Sequence, residues 1–264
     1  MKLTDQQLRF YDTFGLLKFP GLFKDEIIAI TGAFEDVWAA TGRQHDYTQR
    51  SMIAPFADRN EYLSGLLDDP RIAGVVESIL GDDYNYAGSD GNYYVGDTKW
   101  HSDHHPYAPY HSLKIAFYLH PVTRDTGCLR VIPGSCHWGD KFTEAVDEVV
   151  PVTAESRPEQ NWGVDGSEVP AYPIESEPGD MLLFNHKTKH SSWGGGDRRR
   201  MFTYNFEQHF PDDLLPSLRG LLERRRERGE EAPYGDAMLH TADPGRRRHL
   251  EQHLQVWEEL ATGS

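Results

Sequence analysis

Leu113-Lys114-Ile115-Ala116-Phe117-Tyr118-Leu119 is the stretch on which the architecture turns. It is short and rich in aliphatic and aromatic residues, and strand alternation groups Lys114 with Ala116 and Tyr118 on one face. Comparable runs follow at Cys128-Leu129-Arg130-Val131-Ile132, Asp180-Met181-Leu182-Leu183-Phe184 and Met201-Phe202-Thr203-Tyr204-Asn205-Phe206. Between residues 84 and 210 they are separated by Gly, Pro, Asp and Asn, the punctuation of a β-sandwich or barrel.

Outward from this region the period changes. Asp25 to Trp38 places Ile27, Ile30, Phe34, Val37 and Trp38 on one helical face, and Pro70 to Leu80 does the same with Ile72, Val75, Val76, Ile79 and Leu80 before Gly81. Thr4 and Gln7 read as a helix capping box. After Pro211 two more stripes appear, Leu214, Leu218, Leu221 and Leu222, then Leu250, Leu254, Trp257 and Ala261. The polar segment from Thr153 to Glu177 is too long for a hairpin turn and reads as a surface excursion placed to lid a site. No internal repeat is visible. The expected organisation is one mainly β domain with helical additions: amino-terminal helices over 1–83, a β-core over 84–210 and carboxyl-terminal helices over 211–264.

Composition narrows the function classes. Among 264 residues, 27 Lys and Arg stand against 42 Asp and Glu, a formal charge of −15 that repels phosphate backbones and anionic membranes. Nucleic acid and membrane partners are therefore not expected. Arg224-Arg225-Arg226 and Arg246-Arg247-Arg248 sit beside acidic residues in helical segments and read as solvated helix faces. No apolar run approaches the ~20 residues of a membrane span, and the amino terminus lacks an apolar export segment. Two cysteines, Cys128 and Cys136, provide neither a disulfide framework nor a thiolate zinc site, so a cytoplasmic setting is the default.

Trp100-His101-Ser102-Asp103 carries the chemistry. On a strand, a His and an Asp two residues apart share a face and can bind one ion. A third ligand from a distant strand would complete a facial set with three open positions, the arrangement of mononuclear non-haem iron(II) oxygenases. His190, after the turn and strand Gly179-Asp180 to Phe184, is placed to be that ligand, and Arg199 opens the next strand. A guanidinium there can grip a dicarboxylate co-substrate through two parallel hydrogen bonds. Arg200 is its rival, because a one-residue slip exchanges the faces.

Other residues admit two readings each. Lys114 is either a carboxylate partner at the site or an edge lysine with a snorkelling stem. Asn92 is either a co-substrate hydrogen-bonding group or an asparagine of a Gly-rich turn. His104 and His105 are substrate-contacting candidates rather than ligands, and His186 reads as a solvent-exposed loop histidine. Tyr93-Tyr94 and Tyr107 to His111 either line a pocket or are ordinary sheet aromatics.

The residues quoted above resemble the phytanoyl-CoA dioxygenase family of iron(II)/2-oxoglutarate enzymes, from Leu3-Thr4-x-x-Gln7 to about Phe206. The pieces that carry the resemblance are Trp100 to Asp103, Gly127-Cys128-Leu129-Arg130-Val131-Ile132-Pro133-Gly134-Ser135, and Gly179-Asp180 through His190 to Arg199. It implies a double-stranded β-helix, or jelly roll, with helices packed on one sheet. It further implies iron(II) held by His101, Asp103 and His190, 2-oxoglutarate paired with Arg199 and Ser192, and dioxygen as oxidant. The expected reaction is hydroxylation of a small metabolite with release of succinate and carbon dioxide. A carboxylate at 103 argues against halogenation; desaturation, epoxidation and ring formation share the same oxidant. A redox-neutral cupin-like isomerase or hydrolase is the rival from another class, one that leaves Arg199 without a purpose. Two departures stand out: Cys136 separates Pro133-Gly134-Ser135 from His137, and the span from His190 to Arg199 is short, with Gly194-Gly195-Gly196 between them. The carboxyl-terminal helices are candidates for a homodimer interface.

Overall fold

A computed structural model describes residues 1–152 and 156–263. Its strands are β1 (Leu16–Phe19), β2 (Ser51–Ile53), β3 (Asn85–Tyr94), β4 (Thr98–His101), β5 (Ser112–Tyr118), β6 (Leu129–Val131), β7 (Tyr172–Ile174), β8 (Met181–Asn185), β9 (His190–Ser192) and β10 (Arg199–Glu207). They form two antiparallel sheets, a six-stranded one ordered β1-β8-β5-β10-β3-β2 and a four-stranded one ordered β4-β9-β6-β7. Together these make the jelly-roll sandwich that the spacing of strands and turns predicts.

Alternation decides what each face does. Leu113, Ile115 and Phe117 of β5, Met181 and Leu183 of β8, and Phe202, Tyr204 and Phe206 of β10 face the helices, where they meet Ile30, Phe34, Val37, Ile72, Val75 and Val76. Phe117 stacks on Phe202 at 5.1 Å between ring centroids. Each such side chain contributes roughly 1.5–3 kcal/mol by leaving water, so this layer is the main source of cohesion. The opposite parity, with Ala116, Tyr118, Leu182, Phe184 and Met201, faces the four-stranded sheet and meets Leu129, Val131 and Ile174. That interior is where the chemistry lies.

The helices Asp5–Phe14, Ile27–Thr41 and Pro70–Leu80 form where periodicity places them, and Thr4 with Gln7 makes the capping box. The carboxyl-terminal helices, Leu215–Glu227, Asp236–His240 and Pro244–Thr262, also pack inward, with Met238 and Leu250 joining the helix-facing core.

Three expectations need correction. Residues 1–83 are not only helical: β1 pairs with β8 and β2 with β3, so the six-stranded sheet draws both its edges from this segment. Four and three residues are too few for a period to register. The excursion after residue 152 contains β7, whose Pro173 argues against a strand but is tolerated at the sheet edge it occupies. Residues 153–155 lie outside the described residues; from 156 to 177 the excursion lines neither of the cavities described below. It packs instead behind the four-stranded sheet, where the Trp100 indole donates to the Gly166 carbonyl at 2.7 Å. It is a buttress, not a lid. Among the described residues no helix is long and apolar enough to cross a membrane.

Candidate metal centre and its cavities

β4 and β9 are neighbours, and their register sets His101 opposite His190. One ligand atom from each of His101, Asp103 and His190 can be chosen so that all lie within 4.8 Å of one another, with Nε2 of His190 3.8 Å from Oδ2 of Asp103. Nδ1 of His101 bonds the Lys99 carbonyl and Nδ1 of His190 the Thr188 carbonyl, both at 2.8 Å. A carbonyl only accepts, so each Nδ1 carries a proton, which in the neutral ring leaves the Nε2 lone pair for a metal.

Strand parity does not place Asp103, because β4 ends at His101. The following turn does: the backbone N–H groups of Asp103 and His104 both donate to the His186 carbonyl, at 2.9 and 3.2 Å. Fully buried Lys189 braces the same turn, its ammonium donating to Ser102 Oγ at 3.3 Å while pairing with Asp147. Neither feature has a signal in the sequence, since both depend on backbone and side chains meeting from distant segments.

Electrostatics suit a cation. Burial alone would raise the Asp103 carboxyl, but the Lys114 ammonium at 3.0 Å and the surrounding imidazoles hold it well below the usual carboxylate range. Burial, then the neighbouring His101, pushes His190 down to about 3, so it stays neutral. Oδ2 of Asp103 is buried, with the Lys114 ammonium as its neighbour on one side and Nε2 of His190 on the other. Two neutral imidazoles and one ionised carboxylate form the donor set of a non-haem iron(II) site; the residues present fit that ion.

A cavity of about 240 Å³ runs from this cluster into the sandwich, lined by Lys114, Ser192 and Arg199 together with His101, Asp103 and His190. Arg199 is buried; its Nη2 donates to Ser192 Oγ at 2.8 Å and its Nη1 to the Gly96 carbonyl at 3.3 Å, while Nε has no partner. Gly127 and Gly195 make room for the guanidinium, since a Cβ on either would fall 2.0 or 2.1 Å from Nη1. Arg200 faces the helices and bonds His120 and Glu35.

Asn92 is not brought to the cavity wall. It is fully buried and bonds the Arg50 guanidinium and the Asp90 carboxylate. Those partners, Arg50 and Asp90, do line the cavity, as do Tyr94, Tyr118 and Thr203. Arg50 lies in an aperiodic loop that offers no sequence signal, whereas Thr203 and Tyr118 share inward parity with Arg199 and Lys114 and were legible in principle. Tyr93 faces away, bonding Glu35, Tyr107 is exposed, and Tyr110 packs against Phe210. His186 corrects the loop-histidine expectation: it is buried, its Nε2 lies 3.0 Å from Asn205 Oδ1, and its ring packs on His104. The polar run Asn185 to Lys189 folds inward because His186 N–H and carbonyl bond β5 and the Asp103 turn. His105 is exposed, and His137 bonds the Thr13 carbonyl at 3.1 Å, far from the cluster in role.

Comparison with known proteins gives consistent findings. Residues 11–201 match the family described as phytanoyl-CoA dioxygenase (PhyH). The chain is 32% identical over 122 residues to "Dioxygenase aneA" of Aspergillus aculeatus, a match covering 40% of this chain; it spans only 34% of that protein's length. The non-heme alpha ketoglutarate dependent carbocyclase SnoK from nogalamycin biosynthesis superposes with a TM-score of 0.60 at 21% identity, covering 78% of this chain and 84% of that one. EctD from S. alaskensis gives 0.58 at 19% identity, covering 78% and 77%, and iron-bound HygX from Streptomyces hygroscopicus gives 0.59 at 15%, covering 80% and 88%. At these identities the structural likeness shows a shared fold.

Proposed function

The chain belongs to the phytanoyl-CoA dioxygenase family, and from that premise we propose that it is an iron(II)- and 2-oxoglutarate-dependent dioxygenase hydroxylating a small-molecule metabolite, with release of succinate and carbon dioxide. The observation that carries this reading is the cavity that has His101, Asp103 and His190 at one end and the Arg199–Ser192 pair on its wall. When bound, iron(II) with 2-oxoglutarate and dioxygen supplies the oxidising power for cleaving an unactivated C–H bond, the keto acid being decarboxylated.

The protein's own residues do the rest. His101 and His190, fixed as Nδ1–H tautomers, present Nε2 to the metal, and Asp103 stays ionised beside Lys114. Arg199 grips the distal carboxylate of the co-substrate, its buried and unpartnered Nε being a donor that an anion satisfies. Ser192 orients the guanidinium by accepting from it. Lys114 neutralises charge beside the metal carboxylate; Leu129, Phe184 and Met201 wall the cavity with apolar surface and exclude water. A redox-neutral isomerase or hydrolase would leave the Arg199 cradle unused.

Anaerobic addition of iron(II) and 2-oxoglutarate is expected to produce a visible metal-to-ligand charge-transfer band, lost in Asp103→Ala. Absence of the band from the wild-type protein, or its survival in Asp103→Ala, overturns the assignment. Product mass then decides the outcome: gain of one oxygen for hydroxylation, loss of two hydrogens for desaturation or ring closure.

A further inference from the structure

A second cavity, about 360 Å³, opens on the other flank of the metal cluster. The inward row of β10 shows the relation. Arg199, Met201 and Thr203 line the first cavity, Asn205 bonds His186, and Glu207 lines the second. Asp103 lines both, whereas His101 and His190 line only the first, so Asp103 is the point at which the two cavities adjoin. With 2-oxoglutarate drawn toward Arg199, a molecule seated in the second cavity would meet the metal cluster at Asp103.

Its walls are charged in a particular way. Arg224, Arg225 and Arg228 come from the helix Leu215–Glu227 and the residue that follows it. Arg225 is committed to Glu230 and the Pro233 carbonyl, though its Nη1 is buried and unpartnered. The Arg224 and Arg228 side chains make no hydrogen bond or ion pair among the described residues. Arg224 and Arg228 are exposed, as a solvated helix face requires, and both also border the cavity mouth, while Arg225 is partly buried. Opposite lies His253, 2% exposed, with neither ring nitrogen hydrogen-bonded, although Nε2 is 3.5 Å from the Glu207 carboxylate. A buried imidazole left without partners is costly unless a ligand completes it. The remaining titratable groups on this wall are His104, His105 and Tyr110. Asp103 is opposed by Lys114, and Glu207 is the one other carboxylate in the lining, so the two free guanidinium groups leave this cavity with an excess of positive charge in a chain of net charge −15.

Resting on the iron(II)/2-oxoglutarate reading, we propose that this second cavity is the primary-substrate site and that it takes a small metabolite bearing an oxyanion, carboxylate or phosphate, clamped by Arg224 and Arg228 with His253 contacting its polar part. Guanidinium groups pair bidentately with either oxyanion. The volume lies at the lower end of the ~300–1,000 Å³ typical of small-molecule sites, which matches a free metabolite.

The test uses the full chain loaded anaerobically with iron(II) and saturating 2-oxoglutarate, so that the first cavity is filled. Phenylacetate, phenyl phosphate and methyl phenylacetate are titrated by calorimetry into wild type, Arg224→Gln/Arg228→Gln and, as a control for charge removed elsewhere, Arg247→Gln. Expected are binding of an oxyanion probe but not the ester, loss of at least tenfold in affinity in the double variant, and no change in the control; the stronger of the two anions identifies the source of the oxyanion. Equal binding of ester and acid, no binding of either anion, or equal losses in the double variant and the control overturns the proposal. The charge-transfer band is read in the same samples. If wild type lacks it, the oxygenase reading fails, and the same titrations without metal and co-substrate still decide whether the cavity selects oxyanions.

Discussion

Arg199 and Arg200 are adjacent, carry the same charge, and do unrelated work. The parity of β10 turns the first inward to Ser192 and the Gly96 carbonyl and the second outward to Glu35 and His120. Arg199→Lys keeps the charge but loses the fork, and charge-assisted bonds are worth roughly 1.5–3 kcal/mol each. KM for 2-oxoglutarate is therefore expected to rise about 10- to 100-fold, with a smaller change in kcat, in assays of succinate release. Arg200→Gln is expected to leave that KM within about threefold, since it faces away from the cavity, and to lower the melting temperature instead. His186 makes a related point at the same scale. Its buried side chain is held neutral, first by desolvation and then by His104, while its backbone carbonyl shapes the turn that presents Asp103.

At the scale of elements, the cavity depends on turns as much as on strands. Gly127 precedes β6 with φ +89°, in the left-handed region that side chains rarely adopt, and its missing Cβ is the space filled by the Arg199 guanidinium. Gly127→Ala is expected to weaken 2-oxoglutarate binding by about tenfold or more through displacement of Arg199, while iron(II) binding in the absence of co-substrate is unchanged; equilibrium titration of each ligand separates the two. Long alternating strands such as β5 and β10 were legible in sequence because each places at least three side chains on each face. The short edges β1, β2 and β7 were not, because pairing with a neighbour rather than their own pattern makes them strands.

For the whole molecule, the β-core is held to its surrounding segments by ion pairs at the joints. Asp180, in the turn before β8, pairs with Lys18 of β1 at 2.9 Å and accepts from the Gly21 and Glu177 backbone N–H groups. Burial opposes its ionisation, but Lys18 and those two donors outweigh it and hold the carboxyl below its ordinary value; Arg71 does the same for Asp69. A carboxyl depressed in the folded state contributes stability that is present above its unfolded pKa, near 4, and is lost as pH falls through the folded value. The urea midpoint is expected to drop steeply below about pH 4. Asp180→Asn is expected to lower the midpoint at pH 7 and to flatten that acid limb; an unchanged acid slope would show that Asp180 is not among the groups responsible.

The sequence by itself determined the strand-and-turn core, the helices flanking it and the His-x-Asp pair with a distant histidine, because local periodicity and residue chemistry encode faces and donors; it left Lys114 with two readings and Arg199 with a rival, and Ser192 entered through the family resemblance alone. Only the tertiary structure decided that Arg199 rather than Arg200 meets the cavity, that Asn92 stops short of its wall, that His186 is buried, and that Arg224 and Arg228 border a second cavity beside the metal cluster. Those outcomes depend on register and on contacts between segments far apart in the chain, and no local pattern carries a distance.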